Sequence, residues 1–178
     1  KLGTAVAAST SATPPEQPDA VSWIRHLGVP YSFGAMPLDD IRALEFESLF
    51  DELEQSGYVG DVVVGVHAGR FCMNYDTQGS LQIASPRQPA LTCEEIGVPT
   101  SIEASAQQSI GFANMVAPAT RNGLLRIETV SYGISQPLVD YPLLSYTVTA
   151  GDWNAIAARN QRITIQLPGQ APSKEVWR

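Results

Sequence analysis

Residue types able to carry chemistry are few in this sequence. It holds two histidines, His26 and His67, and two cysteines, Cys72 and Cys93. A metal centre of the common kind needs three or four such ligands at close spacing. The two cysteines match neither C-x-x-C nor another metal pattern, so neither a metal nor a cofactor is expected. A cysteine nucleophile needs exposure and a base beside it, and nothing in the sequence marks either. Two readings of the pair stay open. One is a bridge closing a loop of about twenty residues, worth on the order of 3 kcal/mol and favoured in an oxidising compartment. The other is two separate buried thiols. His67 ends the apolar run Asp61 to His67 (DVVVGVH), where a hydrogen-bonded core histidine is expected rather than a base. The adjacent acids Asp39-Asp40 and Glu94-Glu95 point in different directions on any regular element. They read as a helix N-terminal charge and a solvated loop, not an acid–base dyad. Gly65-Val66-His67-Ala68-Gly69 is glycine-rich but lacks the lysine of a phosphate loop, and no G-x-S-x-G occurs. The expectation is a protein that is not an enzyme.

The 178 residues suit one domain, and 44% apolar against 16% charged residues is a globular composition. Eleven basic against eighteen acidic residues leave a formal charge of −7, which repels nucleic acid. The longest apolar run is a few residues around Val62 to Val66, far short of a membrane span. Arg121, Arg126, Arg159 and Arg162 form no run and read as rim or ion-pair residues. Trp153 reads as a packing anchor. Trp177 could mark a contact to a neighbouring chain.

Those residues must be held by some scaffold. Residues 1–22 are rich in Ala, Ser, Thr and Pro and open on Lys1, as a processed N-terminus would. They carry too little apolar area to offset ordering entropy and read as a tether. Residues 23–170 read as the domain and 171–178 as a tail. Alternation at Leu27, Val29, Tyr31 and Phe33 predicts a strand. Pro37 suits a first helical turn. Leu38, Ile41, Leu44, Leu49, Phe50 and Leu53 predict the apolar face of a helix over 37–55, ended by Gly57. Asp61 to His67 predicts a strand buried on both faces, reached by a right-handed parallel crossover. Residues 69–98 interrupt this rhythm, with a hairpin predicted from 71–75 and 80–84 around Thr77-Gln78-Gly79. Thr100 and Glu103 have capping-box spacing. Ile102, Ala106, Ile110, Ala113 and Val116 follow as a helical face, stopped by Pro118. A turn at Asn122-Gly123, a strand over 124–130, a short helix near 153–158 and a strand over 162–167 complete the order. The predicted class is an α/β (α+β) sandwich, βαβαβ(α)β, with a mixed sheet and a long insert after the second strand.

Several short stretches in this order resemble one family. Ser131-Tyr132-Gly133-Ile134-Ser135-Gln136-Pro137 is similar to the GYG-x-S-x-P stretch of the OmpA-like peptidoglycan-binding domain. Ala158-Arg159-Asn160-Gln161-Arg162-Ile163-Thr164-Ile165 resembles its A-x-N-R-R-V-x-I ending. Gly65-Val66-His67-Ala68 stands where the family has G-H-T-D, and Ala104 to Ser109 where it has L-S-x-x-R-A. Val29 to Phe33 resembles its V-x-F-x-F opening. The resemblance covers about residues 27–167.

In that family an aspartate and an arginine grip the zwitterionic diaminopimelate of peptidoglycan, carboxylate to ammonium and guanidinium to carboxylate. The matching positions here are Ala68 and Gln108, so the resemblance implies a degenerate pocket without its ion pair. Arg70, Asn160 and Arg162, with Asp76, are the residues that could form a residual pocket. The resemblance further implies a non-enzymatic adaptor or scaffold in the Gram-negative periplasm. It would be a structural component of a trans-envelope machine such as a pilus, a secretion or conjugation system or a flagellar motor. It would meet protein partners and be tethered to a membrane rather than inserted. The long 69–98 insert reads either as a replacement contact surface for a protein partner or as a neutral surface excursion pinned by a disulfide. The alternative it leaves open is a peptidoglycan-anchoring module with a rearranged pocket.

Overall fold

The computed structural model describes residues 28–97, 105–118 and 120–168. The tether, the C-terminal tail, Leu27, His26, Trp23, Trp177 and the capping box at 100–103 lie outside the described residues. The described elements are β1 (Val29–Pro30), α1 (Asp40–Gln55), β2 (Gly60–His67), β3 (Cys72–Tyr75), β4 (Leu81–Ile83), a 3-10 turn (Ala90–Thr92), β5 (Glu95–Ile96), α2 (Ile110–Val116), β6 (Leu125–Gly133), α3 (Ala150–Asn160) and β7 (Arg162–Gln166).

The protein is mixed α+β with two sheets. The larger has the order β1-β7-β2-β6, and the smaller, formed by the insert, has the order β4-β3-β5. β7 runs antiparallel to both β1 and β2, and β6 runs parallel to β2. β1 and β2 therefore point the same way, as strand–helix–strand spacing predicts, but β7 lies between them. One face of the sheet carries Val62, Val64, Val66, Leu125, Ile163, Ile165 and Leu167. It packs against Phe46, Leu49, Phe50 and Leu53 of α1 and Phe112 of α2. Phe46 stacks on Phe50 at 6.1 Å between ring centroids and meets Phe112 edge-on at 5.8 Å, a geometry that suits the ring quadrupoles. β2 is buried on both faces only in its second half, Val64 to His67; Asp61 and Val63 are half-buried.

α1 begins three residues later than Pro37 suggests. Asp39 is its N-cap, its carboxylate accepting the Arg42 N–H at 2.9 Å, the interaction that ranks Asp among the best caps. Gly57 follows the C-cap with φ +80°, the left-handed turn glycine permits. The buried face of α1 also differs from the expected one. Ala43 and Phe46 point inward, while Ile41 and Leu44 are 71% and 68% exposed. The three- and four-residue steps from Ala43 through Phe46 and Phe50 to Leu53 set the face that α2 and the sheet cover. Leu38 is buried from the loop before the helix.

β1 is shorter than its alternation predicts, because Pro30 has no N–H to extend the ladder. Phe33 leaves the strand and lies against Phe71 at 4.9 Å. α2 starts at Ile110, capped by Ser109 Oγ accepting the Phe112 N–H at 3.0 Å. Ile110 is 81% exposed and Phe112 takes the inward position. β6 continues to Gly133 and α3 spans eleven residues, each longer than its sequence signal.

The 71–75 and 80–84 hairpin is present as β3 and β4. Asp76 Oδ1 holds its turn by accepting the Gln78 and Ser80 N–H groups, both at 2.8 Å. β5 adds a third strand on the other side of β3. Cys72 and Cys93 are joined in a disulfide with Cα atoms 5.6 Å apart. Cys72 lies in a small core with Ala84, Ala90, Ala150 and Trp153, so the insert is packed on α3.

Candidate functional site

The positions matched to the ligand pocket fall at one end of the large sheet. There β2 and β6 finish, β7 starts, and the chain turns into α1 and α2. Ala68 follows β2, is 5% exposed, and donates its N–H to Gly133 O at 2.7 Å. Gln108 is exposed beside Leu38, where Ser109 donates its N–H to Leu38 O at 2.8 Å. Ser105 Oγ and Ser131 Oγ, 2.5 Å apart, hold the start of the described 105–118 segment against the end of β6. Neither Ala68 nor Gln108 carries a charged side chain.

Behind Ala68 lies a group of residues that the sequence did not assemble. His67 is 2% exposed, and its ring stacks on Tyr132 at 4.9 Å and 25°. Its Nε2 is 3.0 Å from Thr164 Oγ1, and its backbone carbonyl accepts the Tyr31 hydroxyl at 2.9 Å. Burial and the nearby Arg162 charge lower its pKa to about 4, so it is neutral near pH 7. Its Nδ1 is buried, and a backbone hydrogen bond with Gln136 partly opposes the lowering of the pKa. Burial, against the opposing pull of Arg42, raises the Tyr31 phenol to about 12. Gly65 makes room for the stack: a Cβ there would lie 2.6 Å from the Tyr132 ring and 2.7 Å from Thr164 Oγ1. His67 thus occupies the position of a core histidine. The G-Y-G-like stretch held the signal for Tyr132, but the sequence did not show its histidine partner.

The residues that could rebuild a pocket are committed elsewhere. Asn160, 1% exposed, accepts the Val139 N–H at 2.8 Å and donates to Val139 O at 2.9 Å, clamping the 134–141 loop. Arg162, 8% exposed, donates to Asn160 O at 3.0 Å and to Gln136 O at 3.3 Å. Desolvation lowers its pKa, and no carboxylate pairs with it among the described residues. Arg70 lies in the insert. Its N–H donates to the Tyr141 hydroxyl at 2.8 Å, and its carbonyl accepts Trp153 Nε1–H at 2.6 Å. Its guanidinium lies 5.5 Å from the Tyr141 ring centroid, with Nε buried and unpartnered. Trp153 is the packing anchor that its place in the sequence suggested. Asp76 is spent on the hairpin turn.

Several other charges are held in ion pairs or turn contacts. Arg121 pairs with Asp51 at 2.5 Å and Glu54 at 3.1 Å, and Arg126 with Asp61 at 2.7 Å. Glu94 accepts the Tyr75 N–H at 2.6 Å, and Glu95 accepts its hydroxyl at 3.2 Å. Among the described residues, no group of three or more His, Cys, Asp or Glu is placed to hold a metal, and no helix is long and apolar enough to cross a membrane. No protein-family profile matches the chain. A search of curated proteins finds no similar sequence.

Proposed function

We propose that this protein is a non-enzymatic adaptor of the Gram-negative periplasm, built on an OmpA-like domain that has lost diaminopimelate binding. It would serve as a structural part of a trans-envelope machine such as a pilus, a secretion or conjugation system, or a flagellar motor. Its partners would be proteins, and it would be tethered to a membrane through its N-terminal segment. The observation that carries this reading is the commitment of Asn160 and Arg162. In a pocket whose matched positions are Ala68 and Gln108, these two side chains hold backbone groups of the 134–141 loop. The disulfide fits an oxidising compartment. The β-α-β-α-β-α-β order of the large sheet and its helices fits the resemblance.

One feature favours the alternative of a peptidoglycan anchor. Arg162 is a buried cation without a carboxylate partner among the described residues, and a ligand carboxylate would supply one. Co-sedimentation with purified cell-wall sacculi separates the two readings. The adaptor stays in the supernatant. Sedimentation that free diaminopimelate competes away, and that Arg162→Lys weakens, would establish the anchor instead.

A further inference from the structure

α1 and α2 diverge on their outer side to leave a groove of about 520 Å³, lined by Asp40, Ala43, Leu44, Glu47, Gly111 and Met115. Large apolar side chains stand beside it in solvent: Ile41, Leu44 and Ile110 are 71%, 68% and 81% exposed. Leu44 lines the groove itself, and large apolar side chains left in solvent around a groove are a mark of interaction sites. The groove owes its closeness at one end to Gly111, where a Cβ would lie 2.6 Å from Asp40 Oδ1.

The charged lining of the groove is acidic in balance, with Asp40 and Glu47 against the one cation Arg121. The only cation on α1 is Arg42, held 2.9 Å from Asp39, and α2 has no charged residue. Arg121, at the foot of the groove, is neutralised by Asp51 and Glu54. Among the described residues no cation pairs with Asp40 or Glu47, which line the groove, and Glu45 and Glu52 add to the field on the same helix.

We infer that the α1–α2 groove is a docking site for a basic amphipathic segment of another protein, its apolar anchors seated on Ala43, Leu44 and Met115 and its lysines or arginines facing Asp40 and Glu47. This deepens the adaptor reading and rests on it. A second copy of this chain fits less well. Its other exposed apolar residues, Leu143 (91% exposed) with Leu144 and Tyr146, lie in a stretch, 138–149, whose sequence carries Asp140 and no lysine or arginine, and each chain carries a formal −7. Self-docking would bring acid to acid.

The test uses a synthetic amphipathic peptide with leucine at i, i+3, i+4 and i+7 and lysine elsewhere, beside a peptide of equal charge with serine for leucine. The leucine peptide binds the protein and shifts the amide signals of Ala43, Gly111 and Met115. The serine peptide binds more than about tenfold more weakly, because charge alone does not fill the groove. Leu44→Ser, at an exposed position whose loss leaves the fold intact, weakens the leucine peptide by a similar factor. Glu47→Lys weakens it and reduces its salt dependence. The inference is overturned if both peptides bind alike, if Leu44→Ser changes nothing, or if the shifted signals lie elsewhere. It is also overturned if the protein dimerises through a contact that Leu44→Ser abolishes. Any of these outcomes leaves the adaptor reading to be decided by sacculus sedimentation, which does not involve the groove.

Discussion

Asn160, at the end of α3, forms two hydrogen bonds with the backbone of Val139, one to its N–H at 2.8 Å and one to its carbonyl at 2.9 Å. A primary amide carries an acceptor and a donor side by side, which matches the N–H and C=O of a single extended residue. Asn160→Ala removes both partners from half-buried backbone groups and is expected to cost about 1–3 kcal/mol. Asn160→Asp keeps the acceptor and loses the donor, so its cost falls between. Urea unfolding measures both, and faster amide exchange at Val139 shows that the loop is what has been released.

The Cys72–Cys93 bridge ties β3 to the end of the 3-10 turn, in the core beneath Trp153. Breaking a bridge that closes a loop of this length is expected to cost about 3 kcal/mol. The expected outcome is a lower Tm under reductant and for the Cys72→Ala, Cys93→Ala pair. Trp153 fluorescence should change before the main transition, because the insert forms its own small core. Thiol counting in the unreduced, unfolded protein is expected to find none free.

His67 gives a pH dependence whose sign is fixed. Its pKa in the folded protein, about 4, lies below the ordinary 6.5, and burial is the main cause. Between those values the unfolded chain binds the proton and the folded one does not, so stability rises with pH across the window. The contribution is complete above pH 6.5 and is lost as pH falls towards 4. After allowance for solvent screening it amounts to about 1–3 kcal/mol. Unfolding free energies measured from pH 4 to 7 are expected to show this slope, and His67→Gln to flatten it. An unchanged slope in the variant would assign the pH dependence to other groups.

Local patterns made some of the fold legible in the sequence. β2 follows from the β-branched run after Asp61, the β3–β4 hairpin from Asp76 to Gly79, and the end of α1 from Gly57. The face of α1 was ambiguous because its apolar residues fit two stripes. Ile41 and Leu44 drew the sequence reading to one, and contact with Phe112, far away in the chain, selects the other. β5 is two residues long and has no periodicity to read. The placement of β7 between β1 and β2 is a non-local pairing that strand–helix–strand spacing does not encode. At the candidate site, the sequence supplied Ala68, Gln108, Asn160 and Arg162 as positions. It did not supply the roles of Asn160 and Arg162, which depend on the path of the backbone between Gln136 and Val139.

The central claim is that this end of the sheet lacks the ion pair needed to grip a zwitterion. Restoring the pair tests it most directly. Titration of the wild-type protein and of the Ala68→Asp, Gln108→Arg double variant with a diaminopimelate-containing cell-wall peptide, by calorimetry at low salt, is expected to show no binding to the first and measurable binding to the second. Neither single variant should bind, because each leaves one end of the ligand unpaired. Wild-type binding as tight as that of the double variant would contradict the account.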